Sequence, residues 1–480
     1  MAVASATGSP FTLAPADRDR LERHLSTASR RARRRGGAAV LAAVSVRVDR
    51  SVDPAGTVAA SRRGGEPWFV MEQPDRQASA LAALGCVVAL EAAGPDRFTT
   101  VAGRWRELVA TAVVDPPAGP RGSGPVAIGG FAFADQGGAA PPWQGFAPAS
   151  LHVPEVAIAR RDDEVWMTLV ALVGPSDDPA QLLAALLART ESLRSRPLPL
   201  LDPDPVVRHQ VVGTMPPEHY VGAVQRAVER IRAGRLDKIV LAREVQVHAS
   251  SDHDAAAVHG VLRDAFPSCY VLCVGRGDST FVAASPELLI RRDGLRAGTL
   301  ALAGSTRRSA DPAVDDHLGE QLLRSDKDRG EQQIVVLRVV RALRPHSVWV
   351  TAAEEPEVIR MANIQHLATP IRAQLASPVP AVVLAGLLHP TPAVGGEPLA
   401  VAAPMIPELE GLDRGWYAGP VGWTDANEDG EFCVALRSAL LTGPVARCYA
   451  GVGVVAGSDP VAELAETELK LQALLPVLAL

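Results

Sequence analysis

The sequence predicts an α+β fold, and three observations carry that expectation. Apolar residues make up 47% and charged residues 21% of the 480-residue chain, ordinary for a globular protein with a sizeable core. Strand-like and helical patterns alternate irregularly, and some strand-like runs are adjacent, as at 281–290 and 295–302. That argues against a regular array of parallel strand–helix–strand units. Self-similarity at a period of roughly 20–50 residues is missing, which disfavours a solenoid or propeller.

The elements follow in order. Arg30, Arg31, Arg33, Arg34 and Arg35 precede an apolar stretch at 38–46, superficially like an export signal. The helical-looking segment 21–25 ahead of them points instead to a solvated helix end feeding a strand. β-rich runs follow at 126–133 and 165–170, separated by Gly/Pro-rich stretches at 116–125, 136–149 and 196–205. Residues 216–233 open on two prolines, carry apolar residues at Tyr220, Val224, Ala227, Val228 and Ile231, and stop at Gly234. That is an amphipathic helix with proline start and glycine stop. A β-branched run at 237–245 reads as a strand, and 317–344 and 460–475 as two further helices.

Composition also excludes functions. Forty-eight basic against 54 acidic residues leave a net charge of −6, and aromatics are 4% of the chain. Neither the cation excess nor the stacking platforms of a nucleic-acid binder are present. The five cysteines (Cys86, Cys269, Cys273, Cys433, Cys448) are odd in number and form no Cys-x-x-Cys pair, so buried thiols in a reducing compartment are expected. No apolar run approaches the roughly 18 residues of a membrane span, and the first residues lack a signal-peptide pattern. A cytoplasmic location without membrane attachment is the expectation.

Several residues are candidates for chemistry. Lys238 stands in a strand of Ile, Val, Leu and Ala; it is either an edge lysine reaching water or a desolvated base. Glu287 follows Pro286 in an apolar context, either as a solvated turn residue or as an acid kept protonated by its surroundings. Glu463, Glu466 and Lys470 share one helix face by their spacing. Glu466 and Lys470 form either a surface pair or, with Glu331 on the other long helix, part of a carboxylate site for Mg²⁺. The glycine clusters at 302–306, 394–396 and 450–453 allow turns or close backbone approach, and none fits a nucleotide-binding pattern. His366, His389 and Tyr417 lie in glycine- or proline-rich settings.

Nine stretches in one order say more than these features separately. They are DKIVLAREV (237–245), FVAASPELLI (281–290), LAGSTRR (302–308), SDKDRGEQQIVV (325–336), IQHLATPI (364–371), LLHPTPAVGG (387–396), GWYAGPVGW (415–423), GEFCVALRSA (430–439) and YAGVGVVAGSDPVAELAETELK (449–470). Their sequence resembles the chorismate-utilising enzymes, and within them the isochorismate synthases of the menaquinone and siderophore type. Weaker similarity reaches GGFAFAD (129–135) and PWFVMEQPD (67–75).

The resemblance implies one large α+β domain like anthranilate synthase component I, with layered antiparallel sheets, flanking helices and a site between the layers. Residues 1–60 match poorly, 61–204 would be the N-terminal part of the unit, and 205–480 the chorismate-binding core. Lys238 would activate water for attack on C2 of chorismate, and Glu287 would protonate the departing C4 hydroxyl. Glu331, Glu466 and Glu463 would hold Mg²⁺. Gly304, His366, Ala393, Tyr417, Arg437, Gly451 and Lys470 would bind substrate. No obligatory protein partner is implied.

Ammonia-using relatives are similar to one another in carrying glutamine at the position of Lys238, and some carry lysine at that of Ala303. Water is therefore the implied nucleophile. Salicylate synthases keep the lysine and then eliminate pyruvate, and they are the alternative. Two departures stand out: Gln332 with Gly330 around Glu331, where histidine usually follows the glutamate, and Val452 in place of alanine.

Overall fold

A computed structural model describes residues 9–34, 36–116, 118–201, 209–361 and 364–479. Two large sheets share one core, and all of their strand pairs are antiparallel. The first runs Val40–Arg47, Glu164–Val173, Val156–Arg161, Ser79–Leu84, Trp68–Gln73, Tyr270–Arg276, Ser279–Ser285, Ser438–Thr442, Val445–Val454, Lys238–His248 and Gly396–Glu397, with Gln210–Gly213 also paired to Lys238–His248. The second runs Ser347–Ala352, Ile364–Leu375, Arg296–Arg307, Leu288–Asp293, Gly430–Val434, Pro420–Asp425, Val126–Phe131, Ala149–Val153 and Val88–Ala92, with Glu357–Arg360 on Ile364–Leu375.

Strand alternation sorts the first sheet into two apolar faces. Phe69, Met71, Leu272, Val274, Phe281 and Ala283 face the core shared with Phe131, Ile290 and Phe432 of the second sheet. Their neighbours Trp68, Val70, Val271, Cys273, Val282 and Ala284 face the other way. There they pack with Leu21 and Leu25 of helix Pro15–Arg34, Leu183 and Leu186 of Pro179–Ser192, and Leu262 of Ala255–Ala265. Both faces of the first sheet are covered, which explains its near-continuous apolar strands.

The arginine cluster ends the helix Pro15–Arg34, and the apolar stretch behind it is the edge strand Val40–Arg47, in register with Glu164–Val173. Arg35 and the boundary at 204/205 lie outside the described residues. Segments before and after that boundary pair in both sheets: Trp68–Gln73 with Tyr270–Arg276, and Val126–Phe131 with Pro420–Asp425.

The helix expected at 216–233 spans Pro217–Arg232, and the strand at 237–245 spans Lys238–His248. The helix expected at 317–344 is two helices, Pro312–Arg324 and Asp326–Leu343. Ser325 divides them because its backbone is extended and its Oγ accepts the Asp328 amide at 3.2 Å, a side-chain N-cap that starts a new helix. The last long helix spans Pro460–Leu471. All five cysteines are free; four are buried as expected, but Cys86 is exposed, on the loop between Ser79–Leu84 and Val88–Ala92. No helix among the described residues is long and apolar enough to cross a membrane.

Gly330 sits inside Asp326–Leu343, and a Cβ there would meet nothing within 4 Å. Gly330→Ala is expected to stabilise the protein by about 0.5–1 kcal/mol, read as a higher midpoint in thermal unfolding with the native near-UV spectrum kept.

Candidate active site

The site lies where the chain twice leaves one sheet for the other. Ser279–Ser285 belongs to the first sheet and Leu288–Asp293 to the second, so Pro286 and Glu287 form a crossing. Gly430–Val434 and Ser438–Thr442 do the same in the opposite direction, with Arg437 at the end of that crossing. Backbone groups at such a step lose their ladder partners and need others. The two crossings supply each other. Val434 N donates to Glu287 O at 3.0 Å, Ala284 N to Arg437 O at 3.1 Å, and Ser285 Oγ to Val434 O. Arg437 holds φ at +50°, a left-handed conformation uncommon for a non-glycine residue.

Glu287 is buried by this arrangement, 3% exposed. Burial pushes its carboxyl up to about 8, only partly countered by Lys238 and Arg437. At neutral pH it is therefore the protonated acid.

Lys238 opens the strand Lys238–His248 and is 0% exposed. The two-residue strand Gly396–Glu397 covers its edge, with Lys238 opposite Glu397. Further along the edge, side chains replace a neighbouring strand. Glu410 Oε1 accepts from Ala242 N at 2.7 Å, and Arg414 Nη2 donates to Val240 O at 2.9 Å. Lys238 Nζ lies 2.7 Å from Glu331 Oε1 but makes no aligned hydrogen bond. Gly453 makes this pairing possible: a Cβ there would sit 2.4 Å from Glu331 Oε1 and 2.9 Å from Lys238 Cε.

A cavity of about 700 Å³, mouth included, is lined by Glu287, Gly304, His366, Ala393, Tyr417, Arg437, Gly451 and Lys470, together with Glu331 and Glu466. Lys238 is not among the lining residues: it lies behind Glu331 and Gly453, and its Nζ is enclosed. Gly304 adopts φ +72° at a bulge in Arg296–Arg307, which turns its carbonyl onto His366. His366 Nδ1 donates to that carbonyl at 3.1 Å, and its Nε2 accepts from Arg437 Nη2 at 3.1 Å. Burial, Arg437 and Lys470 hold the imidazole down at about 3, so it is neutral. Tyr417 stacks on Tyr449 with centroids 5.3 Å apart.

Lys470 Nζ bridges Gly451 O at 3.0 Å and Glu466 Oε1 at 2.8 Å. The helical Glu466–Lys470 pair thus exists but faces the cavity. Burial raises the Glu466 carboxyl, yet Lys470, Ser305 and Lys327 outweigh it and hold it at about 2; Ser305 Oγ donates to it at 2.6 Å. Glu463 is placed differently. It lies outside the cavity lining, pairs with Lys327 at 3.0 Å and has a side chain 3% exposed.

Carboxylate oxygens alone, without nitrogen or sulfur donors, suit Mg²⁺, which binds through one or two carboxylates and fills its shell with substrate and water. Glu331 and Glu466, whose side chains are 12% and 27% exposed toward the cavity, fit that role. Both are paired with lysines, and no group of three or more His, Cys, Asp or Glu side chains among the described residues is arranged to hold a metal.

Ser305, Lys327 and Asp328 also line the cavity and were not singled out from the sequence. Their signals were available: Ser305 follows Gly304, and Lys327 and Asp328 precede Glu331 by four and three residues, hence on one helix face. Gln332 turns away from the cavity, its Nε2 donating to Ala301 O and Thr369 Oγ1, both at 2.9 Å. It ties the helix to the second sheet. Val452 lines the cavity beside Gly451.

The family described as chorismate binding enzyme matches residues 25–479. The chain is 38% identical over 440 residues to the salicylate biosynthesis isochorismate synthase of Pseudomonas aeruginosa, covering 91% of this chain and 89% of that one. It is 33% identical over 359 residues to isochorismate synthase MenF of Bacillus subtilis, covering 74% and 75%. Its fold is similar to the solved structure of MenF, the menaquinone-specific isochorismate synthase of Escherichia coli. That likeness has TM-score 0.76 and 26% identity, over 95% of this chain and 100% of that one.

Glu287 holds a proton in the folded state that it has lost in the unfolded chain between about pH 4.5 and about pH 8. The contribution of Glu287 to stability therefore falls as pH rises through that window. Glu287→Gln, neutral throughout, is expected to flatten this dependence, so its unfolding midpoint gains on wild type from the acidic to the alkaline end.

Proposed function

The chain belongs to the chorismate-binding enzyme family, and on that footing we propose that it is an isochorismate synthase. It interconverts chorismate and isochorismate by adding water at C2 and releasing the C4 hydroxyl. The observation that carries this reading is a buried, protonated glutamate in the cavity wall, with a buried lysine just beyond the lining, behind Glu331. Lys238 supplies a nitrogen to take a proton, and Glu287 a proton to give.

In this mechanism the water oxygen bonds to C2 as its proton passes to Lys238 Nζ. The ring double bonds shift, and the C4–O bond breaks as Glu287 delivers its proton to the leaving oxygen. One water enters and one leaves, so the isomerisation balances and runs either way. Tyr417 and Arg437 hold the enolpyruvyl carboxylate, where the planar guanidinium can meet two oxygens. His366 is neutral, and its hydrogen bond with Arg437 fixes the guanidinium's orientation. Gly304 and Gly451 leave room for the ring beside Ala393, and Lys470 adds a cation. Glu331 and Glu466 would hold Mg²⁺, with Glu463 behind them paired to Lys327. Held there, the ion would supply positive charge to offset substrate carboxylate charge.

Salicylate synthesis, with pyruvate elimination, is not favoured, since the relatives compared carry names of isochorismate synthases. The name of the Pseudomonas relative joins isochorismate formation to salicylate biosynthesis, and that of the Escherichia structure to menaquinone. We assign this chain the first step only. Five free cysteines and no membrane-crossing helix among the described residues support a cytoplasmic enzyme.

Purified protein incubated with chorismate and Mg²⁺ is expected to yield isochorismate at equilibrium with chorismate, and EDTA to abolish it. Salicylate with matching pyruvate, or no consumption, contradicts the assignment. Lys238→Ala is expected to lower turnover by at least about 100-fold while chorismate still binds; near-normal turnover refutes the base. Glu466→Gln is expected to raise the Mg²⁺ concentration needed for half-maximal activity. An unchanged titration would leave Glu466 as no more than the partner of Lys470.

A further inference from the structure

The strand Lys238–His248 carries the base of the proposed mechanism, and one of its sides is only partly covered by other strands. Gly396–Glu397 pairs with 238–239 and Gln210–Gly213 with 245–248. Between them, two side chains from a distant segment take the place of a strand. Helix Leu399–Glu410 ends on Gly411, whose φ of +64° turns the chain. Three residues later Arg414 returns onto Glu410. Both side chains are buried, 2% and 1% exposed.

The guanidinium is used along its whole fork. Nε donates to Glu410 Oε2 at 3.0 Å and Nη2 to Glu410 Oε1. Nη2 also donates to Val240 O at 2.9 Å, and Nη1 to Val394 O at 2.8 Å. Glu410 Oε1 accepts from Ala242 N at 2.7 Å, and the Arg414 carbonyl accepts from Tyr417 N at 2.9 Å. Phe133 packs against the guanidinium, its ring centroid 4.2 Å from Cζ. Three pieces of the site thus meet at one residue: the strand two positions beyond Lys238, the wall next to Ala393, and the turn that presents Tyr417. Val240 and Val394 both line the catalytic cavity. One backbone bond, Val240 N to Gly395 O at 2.7 Å, joins strand and wall beside it; Arg414 adds the third piece and fixes the spacing of all three.

We propose that Arg414, backed by Glu410, is a positioning residue for the reaction: it sets where Lys238 stands relative to the substrate wall and to Tyr417. This inference rests on the isochorismate synthase reading, in which Lys238 is the base. Arg414 lies outside the lining of the catalytic cavity and acts through the carbonyls that it holds. Lysine is no substitute, because an ammonium is a point charge without the planar fork that spans Glu410, Val240 O and Val394 O. A base displaced by about 1 Å loses on the order of 100-fold in rate. Arg437 and Lys470, which bind substrate in this reading, have their hydrogen-bond partners elsewhere. Loss of Arg414 therefore acts on turnover more than on substrate binding.

Steady-state kinetics of the full chain with chorismate and Mg²⁺ test this, comparing wild type, Arg414→Lys and Arg189→Lys. Arg189 is the control: its guanidinium is 1% exposed and paired with Glu66 at 2.6 Å, on a helix that covers the opposite face of the first sheet. Arg414→Lys is expected to lower kcat at least about ten-fold and to change KM less than about three-fold. Arg189→Lys should leave both unchanged while lowering the unfolding midpoint, so a loss of stability alone does not reproduce the effect. Arg414→Met combined with Glu410→Leu removes both buried charges together; it carries the test if Arg414→Lys fails to fold, with the same loss of kcat expected. An active wild type matched in kcat by the Arg414 variant overturns this inference alone. So does an equal loss of kcat in Arg189→Lys, or a loss confined to KM. A folded wild type that leaves chorismate unconsumed fails the isochorismate synthase reading and takes this inference with it.

Discussion

The mutual hydrogen bonding of two neighbouring sheet crossings is the constraint on which the site depends. A strand that leaves its sheet abandons a ladder of backbone partners, and a single crossing buried in a core would leave amides and carbonyls unsatisfied. Here the step through Pro286 and Glu287 and the step ending at Arg437 run side by side and satisfy each other's backbone. The result is a carboxyl and a guanidinium held at fixed positions between two sheets, with the left-handed backbone of Arg437 as the strained element. Glu287 owes its protonation to the same enclosure, since its desolvation outweighs the pull of Lys238 and Arg437.

Charge is balanced around this frame in a specific way. Glu331 pairs with Lys238, Glu466 with Lys470 and Glu463 with Lys327. Buried ions that lose a partner are expensive, so Lys327 and Lys470 keep in place carboxylates that would otherwise repel each other. Arg437 is the exception: its hydrogen-bond partner is a neutral histidine rather than an acid. A guanidinium left without a carboxylate at a cavity wall is a receptor for one, and a substrate carrying carboxylates matches it.

Much of this was legible in the sequence because the relevant signals are local or ordered. Periodicity and terminal residues located the helix Pro217–Arg232 and the strand Lys238–His248. The order of nine motifs brought the cavity residues together before any contact was known. What stayed hidden depends on distant chain. Lys238 could be read as an edge lysine until Gly396–Glu397, Glu410 and Arg414 were seen to close its edge. The break at Ser325 turns on a side-chain cap inside a continuous helical pattern. That Pro286 marks a change of sheet follows from pairings with strands more than a hundred residues away. Glu463 and Glu466 share a helix face, and only the position of Lys327 separates the one behind the cavity from the one within it.

The central claim is that enclosure between the sheets keeps Glu287 protonated at neutral pH, ready to act as an acid. Infrared difference spectroscopy of wild type against Glu287→Gln measures that directly, through the carbonyl stretch of a protonated carboxyl. The account predicts a band at neutral pH that isolates to Glu287 and disappears as pH rises through about 8. A carboxylate signal from Glu287 already present at pH well below that value would contradict it.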